Sequence, residues 1–268
     1  MINLDDQFTR VVLIIFAALT GSCLGSFINV CIWRMPRNES IVVAPSHCTS
    51  CGKKIRFYDN IPVFSYLILG GKCRNCGKSY TSRYFWIELF CGIAGAWLGA
   101  ATLLGIYPAW GLIPGATLIL ISTAIFFTDI HFHIIPNQLV FSGVVIGLLT
   151  RMLLPSIDLT GFAVRLGVVF VIEAWLSLFN FIGKKLVKDD VFAPGDIKFV
   201  VAIAALTGLK GAIPILLVAS LTATLGGTIY ALSKKIPLKK MQLPFGAFLA
   251  GFSIIYALFF PWINLFWS

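Results

Sequence analysis

VVLIIFAALTGSCLGSFINVCIW, from Val11 to Trp33, runs for 23 residues without a charged side chain. As a helix it would be about 34 Å long, enough to cross a hydrocarbon layer of about 30 Å. It is too long for the apolar stretch of a cleaved secretory signal, and no A-x-A-like site precedes the basic stretch opening at Arg34. The run therefore reads as a retained first span. The rest of the 268-residue chain is similar: 58% hydrophobic and 12% charged, with mean hydropathy +0.91. Such a composition excludes an ordinary soluble globular domain and predicts an all-α polytopic membrane protein.

Eight transmembrane helices account for the pattern, near 10–33, 84–106, 110–129, 138–155, 161–183, 197–209, 211–233 and 243–263. The sixth is short, which suits a tilted helix, a tight hairpin or a re-entrant segment. The net charge is +10, and its distribution carries more information than its size. Residues 34–83 hold nine Lys/Arg against Glu39 and Asp59. With the N-terminus outside, 17 of the 21 Lys/Arg fall on the cytoplasmic side, among them Lys184, Lys185, Lys188, Lys198, Lys234, Lys235, Lys239 and Lys240. That bias is the positive-inside rule, so the basic total is assigned to topology and no nucleic-acid partner is expected. An even number of spans returns the C-terminus outside. Three domains follow: the first span at 1–33, a cytoplasmic loop domain at 34–83, and a multi-span membrane domain at 84–268. Gly21 and Gly25 in the first span, with Gly92, Gly95 and Gly99 in the second, have the small-residue spacing of close helix packing.

Inside the loop, Cys48-Thr-Ser-Cys51-Gly-Lys and Cys73-Arg-Asn-Cys76-Gly-Lys are two copies of one unit. Each CxxC turn points two thiolates at one ion, and the glycine after it permits the tight turn. Four thiolates at this spacing predict a closed structural Zn²⁺ site at Cys48, Cys51, Cys73 and Cys76. An iron–sulfur centre uses the same four-cysteine ligand set. A closed site leaves no open position for chemistry. Cys23, Cys31 and Cys91 fall in spans and read as small packing residues, and His47 as a bystander.

Two carboxylates lie where apolar spans meet basic loops: Asp129 in FFTDIHFHIIPN and Asp196 in FAPGDIK. An ionisable group at the edge of hydrocarbon is a functional candidate. The topology puts Asp129 at the inner end of the third span and Asp196 at the inner start of the sixth. Two carboxylates in reach of one another divide into an acid and a base, which suits hydrolysis of a peptide bond by activated water. A solvated helix flank is the plainer alternative, and it fits Asp189 and Asp190. Glu88 and Glu173 are rival intramembrane carboxylates, the latter pairing with Arg165 only through a neighbouring helix or water. Asp129, His131 and His133 would form a metal site on an extended turn but not on a helix. Lys198 points away from Asp196, towards lipid phosphate.

Taken together, these motifs resemble the bacterial type IV prepilin peptidases, also called prepilin leader peptidase/N-methyltransferases. The resemblance rests on Gly25-Ser-Phe-Ile-Asn-Val-Cys-Ile-Trp-Arg-Met-Pro36, Pro45-Ser-His-Cys-Thr-Ser-Cys51, Tyr58-Asp-Asn-Ile-Pro-Val63 and Gly71-Lys-Cys-Arg-Asn-Cys76. It continues through Tyr84 to Gly92, Ile135-Pro-Asn137 after Asp129, Gly195-Asp-Ile-Lys198 and Leu243-Pro-Phe-Gly246. It implies an aspartic endopeptidase of the bacterial inner membrane, with Asp129 and Asp196 catalytic. Its substrates would be type IV prepilins or pseudopilins cut at the cytoplasmic face, with membrane lipid around the spans. It also implies methylation of the new N-terminal amine by S-adenosylmethionine. Glu88 and Gly92 are the donor-site candidates that the resemblance offers. No glycine-rich strand–turn–helix fingerprint appears, so a Rossmann methyltransferase is not expected. The chain departs from the family pattern at Ala193, where GxGD has its first Gly, and at Ala247, where Pro is common. The alternatives are a peptidase without methyltransferase activity and a metal or ion transporter using the membrane carboxylates.

Overall fold

The computed structural model describes residues 6–42, 46–153, 157–187, 191–235 and 243–265. Pro45, the Lys188–Asp190 run, Lys239 and Lys240 lie outside the described residues. Among the described residues the chain is helical, with two isolated β-bridges, His47 with Lys54 and Lys72 with Ser79. The helices are α1 (Gln7–Arg34), α2 (Phe64–Leu69), α3 (Arg83–Leu103), α4 (Leu112–Phe132), α5 (Asn137–Leu153), α6 (Leu159–Val187), α7 (Pro194–Thr207), α8 (Leu209–Lys234) and α9 (Phe245–Leu265). Each expected span is one of these, and α2 lies in the cysteine loop. Five helices are long and apolar enough to cross a membrane by length and composition, namely α1, α3, α4 with the turn before it, α6 and α8. The chain divides into two compact units, Met1–Pro108 and Ala109–Ser268.

In the first unit α1 packs along α3 at backbone contact. A Cβ at Gly21 would strike the Cys91 carbonyl, and one at Gly92 the Ser22 hydroxyl. Lipid is as apolar as leucine, so close approach through small residues is what holds two helices together in it. Asp6 caps α1, accepting the Thr9 N–H at 3.1 Å.

The second unit is built around α7. Phe199 to Leu206 are all buried, so this 14-residue helix is enclosed by protein over its C-terminal two turns. At about 21 Å it is shorter than the hydrocarbon layer. Its last carbonyls therefore need donors within the protein. Arg165 of α6 supplies them, giving hydrogen bonds to the carbonyls of Ala204 at 3.2 Å and Ala205 at 3.4 Å. That is where Arg165 is engaged, rather than on Glu173, which stands on the exposed face of α6. Gly208, at φ 74°, turns the chain straight into α8. The short sixth segment is thus a complete helix followed by a one-residue turn.

Candidate active site

Asp129 belongs to the last turn of α4, which ends where His133 adopts a left-handed conformation and returns its N–H to the Asp129 carbonyl at 2.9 Å. The side chain is buried, 6% exposed, and reaches the N-terminus of α9. There its Oδ2 accepts the Ala247 N–H at 2.9 Å. The first N–H groups of a helix have no partner within it, and their dipoles favour an anion. Asp129 thus supplies the cap that Leu243-Pro-Phe-Gly246 lacks. Gly246 is required by this approach, since a Cβ there would lie 3.0 Å from Asp129 Oδ2 and 2.8 Å from Ile135 Cδ1.

Asp196 is the third residue of α7 and is 8% exposed. Pro194 starts the helix where a missing N–H costs nothing. The Asp196 carboxylate turns back to accept the Ala193 N–H at 3.3 Å, half of a capping box, since Ala193 has no side-chain oxygen to return the bond. Ile135 wedges between the two sites, with its Cβ 3.2 Å from where a Gly195 Cβ would stand and its Cδ1 against Gly246. The C-terminal end of α4 and the N-terminal end of α7 therefore meet at one end of the unit.

The supporting residues were not apparent from sequence. Asn180 of α6 accepts the N–H groups of Val191 at 2.8 Å and Phe192 at 3.0 Å, tying down the segment that leads into Asp196. Phe192 then stacks on Phe245 at 5.5 Å, beside the start of α9. Lys198 donates to Asn137 Oδ1 at 3.0 Å, bracing α7 on α5, where lipid phosphate was the expectation. His131 bonds the Phe127 carbonyl through Nδ1 at 2.9 Å, and among the described residues neither His131 nor His133 joins Asp129 in a metal-binding cluster.

In the first unit the four loop cysteines converge, with their sulfurs within 4.8 Å of one another. Both knuckles have the same hydrogen bonds. Gly52 N–H reaches the Cys48 carbonyl at 2.8 Å and Gly77 N–H the Cys73 carbonyl at 2.9 Å, with both glycines near φ 70°. Cys48 and Cys76 sulfurs are 3.9 Å apart, far from a disulfide and close to the edge of about 3.8 Å for thiolates at 2.3 Å around one tetrahedral ion. The Lys53 backbone N–H draws the Cys51 thiol down to about 7, and the Cys76 and Asn75 amides lower Cys73. Cys76 goes the other way, to about 11: the Lys78 amide pulls down, but desolvation and the sulfurs of Cys73, Cys51 and Cys48 outweigh it. Four thiols this close do not all ionise without a cation among them. The cluster could hold a metal ion. His47 is not part of it.

Glu88 accepts the Val63 N–H at 2.8 Å, and Gly92 lies one turn further along α3 against Ser22. The adjoining cavity, of about 280 Å³, is apolar apart from Ser22 and Cys23. It does not suit a donor carrying a sulfonium, a carboxylate and a ribose.

Residues 19–102 match the family model of the bacterial peptidase A24 N-terminal domain, and residues 116–232 that of the type IV leader peptidase family. The chain is 30% identical over 276 residues to a prepilin leader peptidase/N-methyltransferase of Xanthomonas campestris, covering 94% of this chain and 90% of that protein. The chain belongs to the type IV leader peptidase family. A Vibrio cholerae relative of the same description is 31% identical over 215 residues, 74% of this chain and 79% of the relative. One from Myxococcus xanthus is 29% identical over 221 residues, where the match takes 82% of this chain but 63% of the longer relative. No solved structure matches. The first family segment holds the paired knuckles and the second holds Asp129 and Asp196.

Proposed function

We propose that the chain cleaves the leader of type IV prepilins and pseudopilins at Asp129 and Asp196, and then methylates the amine it has exposed. What supports the peptidase reading is that the end of α4 carrying buried Asp129 and the start of α7 carrying buried Asp196 converge on Ile135 at one end of a helical unit, in a chain of this family. Asp129, which takes an amide hydrogen at the α9 N-terminus, is the better placed to hold the negative charge, leaving the shared proton to Asp196. Asp129 accepts a proton from water as its oxygen attacks the scissile carbonyl carbon. Asp196 gives its proton to the carbonyl oxygen, forming a gem-diol. Collapse breaks the C–N bond, the departing nitrogen takes the proton from Asp129, a gem-diol hydroxyl returns one to Asp196, and the products are a carboxylic acid and an amine. No covalent nucleophile is needed.

The position suits the substrate. A prepilin has a short basic leader followed by an apolar helix, so its scissile bond lies at the membrane surface and not at midplane. The excess of Lys/Arg places that surface on the cytoplasmic side of the inner membrane, with both termini opposite. Zinc is the ion that the four-cysteine loop would hold, in a structural role that folds a segment too small to bury a core of its own. S-adenosylmethionine would supply the methyl group. This reading rests on the family, and no step is routed through the α1–α3 cavity, whose lining does not fit the donor.

Purified protein incubated with prepilin and labelled methyl donor tests both activities. Asp129→Asn and Asp196→Asn should each abolish cleavage, and with it labelling, while the protein stays folded. Retained cleavage in either variant defeats the paired-acid reading. Cleaved but unlabelled product from the unaltered protein defeats the methyltransferase reading alone.

A further inference from the structure

The short helix α2 shows two contrasting faces. Its inner face is pinned: Ser65 is buried and bonds the Ile61 carbonyl at 2.7 Å, and the Tyr66 ring lies 5.1 Å from Phe85 and 5.5 Å from Tyr80. Its outer face carries Phe64, Leu67 and Ile68, which are 55%, 61% and 76% exposed, beside Phe57 at 86% and Ile61 at 48%. Large apolar residues collected on one face are not the scattered exposure of an ordinary surface.

The turn that presents this face is strained. Val63 has φ 65° and ψ −54°, and Phe64 N–H closes onto the Pro62 carbonyl at 2.7 Å. That is a γ-turn with a β-branched residue at its centre, a conformation that persists only when its surroundings impose it. Glu88 imposes it from α3 by accepting the Val63 N–H. Pro62 and Val63 roof the cavity between the helices, whose walls include Ala18, Leu89 and Ile93.

Chain connectivity supplies the location. The loop is tied at both ends to membrane helices, α1 ending at Arg34 and α3 beginning at Arg83, with the 61% exposed Trp86 in the first turn of α3. A segment held there stands at the headgroup layer, where aromatic and amphipathic elements settle. Around it Lys53, Lys54, Arg56 and Lys72 are all exposed, and Asp59 is spent on Arg74 in an ion pair at 2.7 Å. We propose that residues 57–69 are a membrane-seated foot: its apolar sole enters the leaflet facing the loop, its surrounding cations meet anionic lipid phosphates, and an acyl chain enters the cavity beneath Val63. The seat would set the height of the cysteine loop above the bilayer. This proposal needs only membrane insertion of α1 and α3 and does not depend on the peptidase reading.

The test uses the full chain, with a fluorescent noncanonical amino acid replacing Ile68 or, as a control, Lys78, in vesicles of phosphatidylglycerol and phosphatidylcholine containing chain-brominated lipid. Quenching at position 68 and none at position 78 is expected. Replacing the phosphatidylglycerol by phosphatidylcholine should unseat the foot, and Lys53→Gln, Lys54→Gln and Arg56→Gln should each lower the seated-to-unseated ratio about fivefold, as about 1 kcal/mol per surface charge implies. Equal emission at position 68 with and without bromine overturns the proposal. So does protection of that position only on adding a prepilin, which would make the face a protein-docking surface. Indifference to lipid charge overturns the anionic partner.

Discussion

The cysteine loop draws its four ligands from 29 consecutive residues, whereas the two aspartates lie 67 positions apart, on helix ends that converge only when α4, α7 and α9 pack. The knuckles repeat one another bond for bond, so each half is specified locally and an ion is the only non-local part needed. The aspartates have no such independence. Asp129 is held by an amide from α9 and Asp196 by the N-terminal turn of α7, with Ile135 between them. A local site is lost by removing its ion; a distributed one is lost by displacing any one of the helix ends that converge on it.

Metal removal should expose that difference most strongly. In Cys48→Ser with Cys73→Ser, each knuckle loses a ligand, and the metal content should fall from one ion per chain to none. Binding energies of about 10–16 kcal/mol at such sites mean that the loop should unfold with the loss. Elemental analysis and protease sensitivity confined to residues 46–80 would register it. Asp196→Asn should leave both readings unchanged. Loss of metal from that variant would show that the two regions are not separable.

Next in size is the glycine at the α9 N-terminus. Gly246→Ala puts a methyl group 3.0 Å from Asp129 Oδ2, and a displaced catalytic group loses rate steeply, about a hundredfold for a shift near 1 Å. Gly195→Ala meets only Ile135 at 3.2 Å and should cost far less. Prepilin cleavage rates with both variants folded would rank them, and equal losses would mean that Asp129 is not positioned by α9.

These atoms mark the limit of what was legible in the sequence. The spans could be read because twenty apolar residues in a row have few other uses, and the knuckles because metal ligands must recur at fixed spacing. Asp129 and Asp196 stood out because a carboxylate beside hydrocarbon is costly. Ile135 and the Ala247 amide did not stand out because their partners lie more than 50 positions away, and Asn180 did not because it binds backbone N–H groups that every residue but proline possesses. Charge and helical spacing allow Glu173 to pair with Arg165 only through a neighbouring helix or water. The carbonyls at the end of a buried 14-residue helix were the stronger claim on that guanidinium, and an unsatisfied carbonyl has no signature in sequence.

Ala247 makes the comparison finer. Where the family commonly has proline, this chain keeps an N–H, and that N–H is bonded to Asp129. Ala247→Pro should fold, because proline is accepted in the first turn of a helix. It would remove a donor worth about 0.5–1.5 kcal/mol, so cleavage should slow about two- to thirteenfold while the metal content stays the same. An unchanged rate would assign the bond to packing.

The smallest effect lies back in the loop. Hydrogen bonding from Arg74, reinforced by its charge, holds the Asp59 carboxyl below the usual carboxylate range. A depressed carboxylate pKa means stability present above the unfolded value and lost as pH falls through the folded one. Acidification below the ordinary range should therefore loosen the Asp59–Arg74 clamp at residues 57–60, and Asp59→Asn should remove that pH response. The Arg74 side chain is half exposed, so salt should mimic part of the effect. Hydrogen exchange at residues 57–60, compared with 48–52, would separate the clamp from acid release of metal, since protonation of Cys51 loosens the knuckle in either variant and loss of the clamp does so in neither.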